Sequence, residues 1–169
     1  MTSNTNLSLS EQKIFTADQL HQLLMIDDAN SRPLVFTNGC FDLLHRGHVT
    51  YLEQAKSLGR KLVVALNSDD SVRRLGKGSS RPLNCLADRM AVIASLAAVD
   101  YVTFFEEDTP LELIKLFKPD ILVKGGDWAV ADIVGAKETL AWGGSVHSIT
   151  FKFDTSTTKL INKIRKTTG

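Results

Sequence analysis

Two histidines three positions apart, with a glycine between them, give this chain its sharpest chemical signal: His45-Arg46-Gly47-His48. Positions i and i+3 share one face of a helix, so both imidazoles can address one ligand. Gly47 has no Cβ to hold a ligand away from the backbone. A helix that starts here adds unpaired N–H groups and about half a positive charge. Together these are the parts of a phosphate cradle. Two other readings fit the same residues. One is a pair of surface or capping histidines. The other is a metal site, because i,i+3 histidines can bind zinc. Asp42 would then be a third ligand, but no Cys or Glu cluster supports it, and no metal site is expected.

Other candidates follow the same logic. Ser156-Thr157-Thr158 opens the last helical pattern. Its hydroxyls and N–H groups suit phosphate, or form an ordinary N-cap. In Lys124-Gly125-Gly126-Asp127 the glycines allow a tight turn and a close approach of backbone to a ligand. There Asp127 would meet a ribose hydroxyl or a sugar, and Lys124 a phosphate, unless the segment is a plain turn. The stretch around Arg73, Arg74, Gly76, Lys77, Gly78 and Arg81 is basic and glycine-bearing, with Arg89 just beyond it. Such a run is a solvated surface or a cover that closes on anions, with Lys77 and Arg89 as the chosen cations. Asp42 either helps bind an acceptor or orient His45, or is a structural cap. Trp128 walls a pocket or packs in the core. Cys40 and Cys85 are expected to be buried packing residues.

These residues need elements to hold them. Thr16 with Gln19 reads as a capping box, and Phe15 with Leu20 as its staple. Apolar runs predict strands at Leu34–Thr37, Leu62–Leu66, Tyr101–Phe105, Ile121–Val123 and Val146–Phe151. Helical patterns lie between them: about Gly47–Leu58, Leu86–Ala97 capped by Asn84, a helix opened by Thr109-Pro110-Leu111-Glu112, and Asp132–Ala141. A last helix starts near Ser156. Strands alternating with helices give a parallel sheet with right-handed crossovers. The expectation is α/β: a single doubly wound Rossmann-like domain with a five-stranded parallel sheet. Ligands in such sheets bind beyond the carboxyl ends of the strands. Asn38 to Asp42, Asn67 to Asp69, Lys124 to Asp127 and the region after the fifth strand all fall on that rim.

Composition sets the outer bounds. The chain has 169 residues and a formal net charge of +1, with 43% hydrophobic and 23% charged residues. One domain of residues 14–169 is expected, with residues 1–13 a flexible N-terminal tail. No basic excess points to nucleic acid. No run reaches the roughly 18 apolar residues of a membrane span, and no secretory signal opens the chain. Two cysteines make no disulfide framework, so a cytoplasmic setting is expected.

The segment Thr37-Asn38-Gly39-Cys40-Phe41-Asp42-Leu43-Leu44-His45-Arg46-Gly47-His48 resembles the HxGH signature of the cytidylyltransferase-like nucleotidyltransferases. Ser156-Thr157-Thr158-Lys159 is similar to that superfamily's second signature. Lys124 to Trp128 and Ser80-Arg81-Pro82-Leu83-Asn84 narrow the resemblance to the adenylyltransferases of ADP-heptose synthesis. The likeness runs from about Leu34 to Ile164. It implies transfer of AMP from ATP to D-glycero-β-D-manno-heptose 1-phosphate, with release of pyrophosphate, for bacterial lipopolysaccharide or surface glycans. It implies His45, His48 and Lys77 as catalytic. Thr37, Asn38, Gly39, Phe41, Gly47, Arg89, Lys124, Gly125, Asp127, Ser156, Thr157 and Thr158 would bind the nucleotide, and Asp42 and Asn67 the acceptor. Mg²⁺ would come with ATP. A homodimer is implied, and a separate sugar kinase to supply the substrate, since no kinase segment fits in 169 residues.

Two positions depart from the pattern. Arg46 stands where the family usually has a small residue. Ala98 precedes Val99-Asp100 where related glycerol-phosphate cytidylyltransferases carry Arg, which favours a different acceptor. The alternatives are a cytidylyltransferase for a polyol or amino-alcohol phosphate and a non-catalytic nucleotide-binding regulator. The intact His45, Gly47 and His48 argue against the regulator. A dinucleotide oxidoreductase lacks its GxGxxG after the first strand.

Overall fold

In a computed structural model of the chain, residues 8–76, 81–153 and 156–167 are described. Five strands form one sheet: β1 (Leu34–Gly39), β2 (Lys61–Asn67), β3 (Tyr101–Phe105), β4 (Ile121–Gly125) and β5 (Ser145–Ile149). The helices are α1 (Ala17–Ile26), α2 (Asp28–Ser31), α3 (Arg46–Lys56), α4 (Asp69–Arg74), α5 (Leu86–Ala94), α6 (Leu111–Phe117), α7 (Ala136–Ala141) and α8 (Thr157–Thr167). Short 3₁₀ turns cover Glu11–Lys13 and Val130–Asp132.

The strands read as nearly continuous apolar runs because both sheet faces are covered. Alternate residues feed two cores. Leu34, Phe36, Val63 and Ala65 pack with Leu20, Ile114, Phe117 and Leu122 on one face. Val35, Leu62, Val64 and Leu66 pack with Leu52, Ile93, Val102 and Val123 on the other. All pairings are parallel, in the order β3-β2-β1-β4-β5. The chain therefore builds outward from β1 on one side, then crosses back to build on the other. That reversal opens a crevice at the carboxyl ends of β1 and β4, where Thr37 lies in register with Val123.

The five-stranded parallel α/β domain expected from the sequence is the observed one, with local differences. β1 and β4 run on to Gly39 and Gly125, so Asn38-Gly39 and Lys124-Gly125 are held by the sheet ladder rather than by loops. Thr109 does not cap α6. Pro110 takes the N-cap position without a side-chain bond, and Glu112 accepts from Lys115 instead. Asn84 does not cap α5: it lies one residue before the N-cap, donating from its N–H and side-chain amide to Asp42, and Cys85 takes the cap position and is exposed, not buried. The expected helix at 132–141 is broken by Gly135, which has φ +85° and sits where a Cβ would be 2.6 Å from Ile114 Cδ1. At the end of the expected tail, Lys13 Nζ donates to the carbonyls of Leu96 (3.2 Å) and Val99 (2.8 Å).

The capping box at α1 forms with both reciprocal bonds, Gln19 N to Thr16 Oγ1 at 3.3 Å and Thr16 N to Gln19 Oε1 at 3.0 Å. The Thr16→Ala variant is expected to lose about 1 kcal/mol of stability. A urea titration should show a lower midpoint with an unchanged slope.

Candidate active site

His45 is the N-cap of α3 with extended backbone, and its side chain makes no capping bond. The ring instead lies over Gly47, where a Cβ would come within 3.0 Å of its Cε1 and Nδ1. Gly47 was expected to admit a ligand; the space it leaves is filled by the imidazole of His45. The glycine thus lets the two rings meet. They stack with centroids 3.9 Å apart and planes 25° from parallel.

Aromatic side chains flank His48. Phe41 meets the His48 ring edge-on at 5.4 Å, and Phe151 does so at 6.3 Å. Phe41 holds a left-handed φ of +46°, a conformation a bulky residue rarely adopts and one that gathers at functional sites. Gly39 makes the room it needs: a Cβ there would be 2.9 Å from Phe41 Cε2. Tyr51, one turn after His48, is buried against Phe151, and its hydroxyl lies 2.5 Å from Thr37 Oγ1.

Burial among these rings disfavours the imidazolium form. It pushes His48 down to about 4, and the neighbouring His45 adds like-charge repulsion. Burial also lowers His45. Both rings are therefore neutral near pH 7, and each has a buried Nδ1 without a hydrogen-bond partner.

The start of α8 faces them. Ser156 Oγ accepts from Lys159 N at 3.2 Å, which is the N-cap role. Thr157 Oγ1 donates to the Leu43 carbonyl at 3.2 Å, and the Arg46 guanidinium lies 4.0 Å over the Phe153 ring. These contacts seat Ser156, Thr157 and Thr158 in one cavity of about 440 Å³ with His45, His48, Cys40, Phe41, Asp42, Arg81 and Phe151.

A second cavity of about 260 Å³ adjoins it between Asn38–Phe41, His48, Tyr51, Lys124, Gly125, Trp128 and Phe151. Lys124 Nζ lies 3.5 Å from Asn38 Oδ1 across the β1–β4 crevice. Trp128 folds back so that its indole N–H meets the Gly125 carbonyl at 3.1 Å. Asp127 is exposed. A third cavity of about 320 Å³ is largely apolar and shares Asn38, Gly39 and Cys40 with the second; Asn67 lines it.

Several expected contacts sit elsewhere. Thr37 is fully buried, with its hydroxyl committed to Tyr51, so it does not reach the cavity. Arg89 is no cover-loop cation. It is 2% exposed, and its guanidinium donates to the carbonyls of Asn84, Cys40 and Asn67 and to Asp69. Asp42 shares the cavity with His45 but is held by other partners: its carboxylate accepts from Arg81 and from the backbone of Leu83 and Asn84. Asn67 donates to Ser71 Oγ at 3.0 Å, and its side-chain oxygen faces Cys40. Lys77 lies outside the described residues. Among those residues, no group of three or more His, Cys, Asp or Glu could hold a metal.

The roles of Tyr51, Phe151 and the two buried arginine pairs escaped the sequence reading. Tyr51 carried a readable signal, because it follows His48 by three on a helix. Phe151 was read as the end of the fifth strand, but that strand stops at Ile149, which leaves the ring free to turn to the histidines.

The profile of the cytidylyltransferase-like family matches residues 36–163. The chain belongs to this family. Among its relatives is the D-beta-D-heptose 1-phosphate adenylyltransferase of Bordetella bronchiseptica, 58% identical over 135 residues, covering 80% of this chain and 83% of that one. The bifunctional protein HldE of Hahella chejuensis is 52% identical over 151 residues, covering 89% of this chain. The chain spans 31% of that longer relative. A solved lipopolysaccharide core biosynthesis protein from Thermoplasma volcanium superposes with a TM-score of 0.58 at 31% identity, covering 72% of this chain and 98% of that one. Pantothenate synthetase from Thermus thermophilus, at 14% identity and a TM-score of 0.58, covers 82% of this chain and 61% of its own and shares the fold. The stacked histidines and the hydroxyl-bearing helix start thus belong to a cytidylyltransferase-like nucleotidyltransferase.

Two outcomes are expected. A proton NMR titration should find the His48 ring neutral down to about pH 4. Its folded-state value lies below the unfolded one of 6.5, so the unfolded chain binds more protons between these values. The contribution of His48 to stability is then complete above pH 6.5 and declines as pH falls toward 4. Separately, Arg89→Ala strips a buried cation from Asp69 and three carbonyls. Denaturant unfolding should register a loss of at least about 1–3 kcal/mol, the cost of one buried acceptor left without its donor.

Proposed function

We propose that the chain transfers AMP from ATP to D-glycero-β-D-manno-heptose 1-phosphate, giving ADP-heptose and pyrophosphate, in the cytoplasm. The observation that carries this reading is the single cavity where His45, His48 and the start of α8 converge. The named relatives support the sugar phosphate and ATP as the pair of substrates. A sugar-phosphorylating activity must supply the acceptor, and a second copy of the chain is the partner the family resemblance implies.

An oxygen of the acceptor phosphate attacks the α-phosphorus of ATP, and pyrophosphate leaves opposite. That oxygen is already anionic, so no side chain has to remove a proton. The protein's work is alignment and stabilisation of the charge that grows on the transferring phosphate. His45 and His48, neutral and held face to face, offer N–H donors aimed by packing rather than by charge. The first turns of α3 and α8 add backbone N–H groups and their dipoles. Asn38, Lys124 and Trp128, at the ends of β1 and β4, suit the nucleotide. Mg²⁺ would travel on the triphosphate oxygens, since the described residues form no cage for it.

The His48→Ala variant is expected to lower kcat by roughly 10²–10³-fold with a smaller change in KM for ATP, as for a lost oxyanion donor. Pyrophosphate release should be seen with ATP and the heptose 1-phosphate. Faster release with CTP and a polyol phosphate would replace this reading with the cytidylyl one.

A further inference from the structure

The cavity that would take the phosphates presents a problem of charge. Its histidines are neutral near pH 7, while its ligands carry several negative charges. Of the described residues that line it, Arg81 alone is a lysine or arginine. The other nearby arginines are committed. Arg89 spends its donors on three carbonyls and Asp69, Arg46 stacks on Phe153, and Arg73 and Arg74 pair with Asp70 and Asp108 at the surface.

Arg81 is held differently. Its side chain is 8% exposed and that of Asp42 is 0% exposed, and Arg81 Nε donates to Asp42 Oδ2. Asp42 is itself fixed. It accepts from Leu83 N at 2.8 Å and Asn84 N at 3.0 Å, and its carbonyl accepts from Asn84 Nδ2 at 2.7 Å. A guanidinium has five N–H donors, and a bond through Nε leaves the two terminal amino groups for a second anion. Backbone N–H groups also draw on the Asp42 charge, so the carboxylate does not serve Arg81 alone.

We propose that Arg81 binds a phosphate group of the reacting ligands, with Asp42 as the positioning residue that aims its guanidinium into the cavity. This rests on the nucleotidyl-transfer reading but not on the identity of the sugar. The shared chemistry is a phosphate oxyanion, from either the triphosphate of ATP or the acceptor.

Calorimetric titration of the whole chain with ATP, inorganic pyrophosphate, adenosine and the sugar 1-phosphate, each alone, tests it. For Arg81→Ala, the Kd of the phosphate-bearing ligand held by Arg81 should rise about 10- to 100-fold, the range for a lost charge-assisted hydrogen bond. Adenosine should bind as before. Arg81→Lys should recover part of the affinity, because it restores the charge without the fork. The double variant Asp42→Asn with Arg81→Gln removes both charges together and covers the case in which the single change fails to fold. Losses for ATP and pyrophosphate assign the contact to the triphosphate. Losses confined to the sugar 1-phosphate assign it to the acceptor. Unchanged affinity for all the phosphates, or an equal loss for adenosine, would overturn the proposal. Turnover is not read, so the ATP and pyrophosphate titrations stand whatever the sugar, and titration with inorganic phosphate extends the acceptor test to any phosphate monoester.

Discussion

Two imidazoles stacked 3.9 Å apart, one of them edged by two phenylalanines, disfavour a positive charge on either ring, and that constraint shapes the rest of the site. Burial favours the neutral form of each ring, and each disfavours charge on the other. The pair therefore serves as a rigid set of dipoles. Rigidity comes from packing: Phe41 and Phe151 edge against His48, and the missing side chain of Gly47 gives His45 its seat. A donor fixed in this way does not reorganise when charge develops, which is the condition under which such groups accelerate transfer. The positive charge a polyanion also needs must come from outside the pair.

The fold answers the question of placement. The sheet's order reverses at β1, so the ends of β1 and β4 lie side by side with no connection between them to fill the crevice. The histidines enter from the helix after β1, the glycine turn from the end of β4, and the hydroxyls from the helix after β5. Below them Arg89 joins the turn after β1 to the end of β2 and to α4 through Cys40, Asn67 and Asp69. The half-buried histidines thus lie near a buried cation that does not itself line their cavity.

Much of this was readable in the sequence. The alternation of apolar runs with helical patterns specified the parallel sheet, and the HxGH spacing specified the helix start and the shared face of the rings. What escaped reading has physical causes. Arg89 and Arg81 are identical in type, yet one ends up as a buried strut and the other as a lining of the cavity. That difference depends on long-range partners, Asp69 for one and Asp42 for the other, which local pattern does not reveal. Asp42 follows the glycine turn as a ligand-binding carboxylate would, but residues 41 and 42 positions further on claim its oxygens. The Thr109 cap failed for a simpler reason. Pro110 itself sits at the helix boundary, and no threonine bond closes the turn.

The Arg46 contact with Phe153 and the Thr157 bond to Leu43 join the beginning of the site to its end across more than a hundred positions of chain. Vectorial synthesis delivers the histidines early, when their facing helix has yet to be made. Until α8 arrives and docks, the nascent protein has one side of the histidine cavity and lacks the other. Competence therefore comes late, after the sheet beneath has had time to assemble.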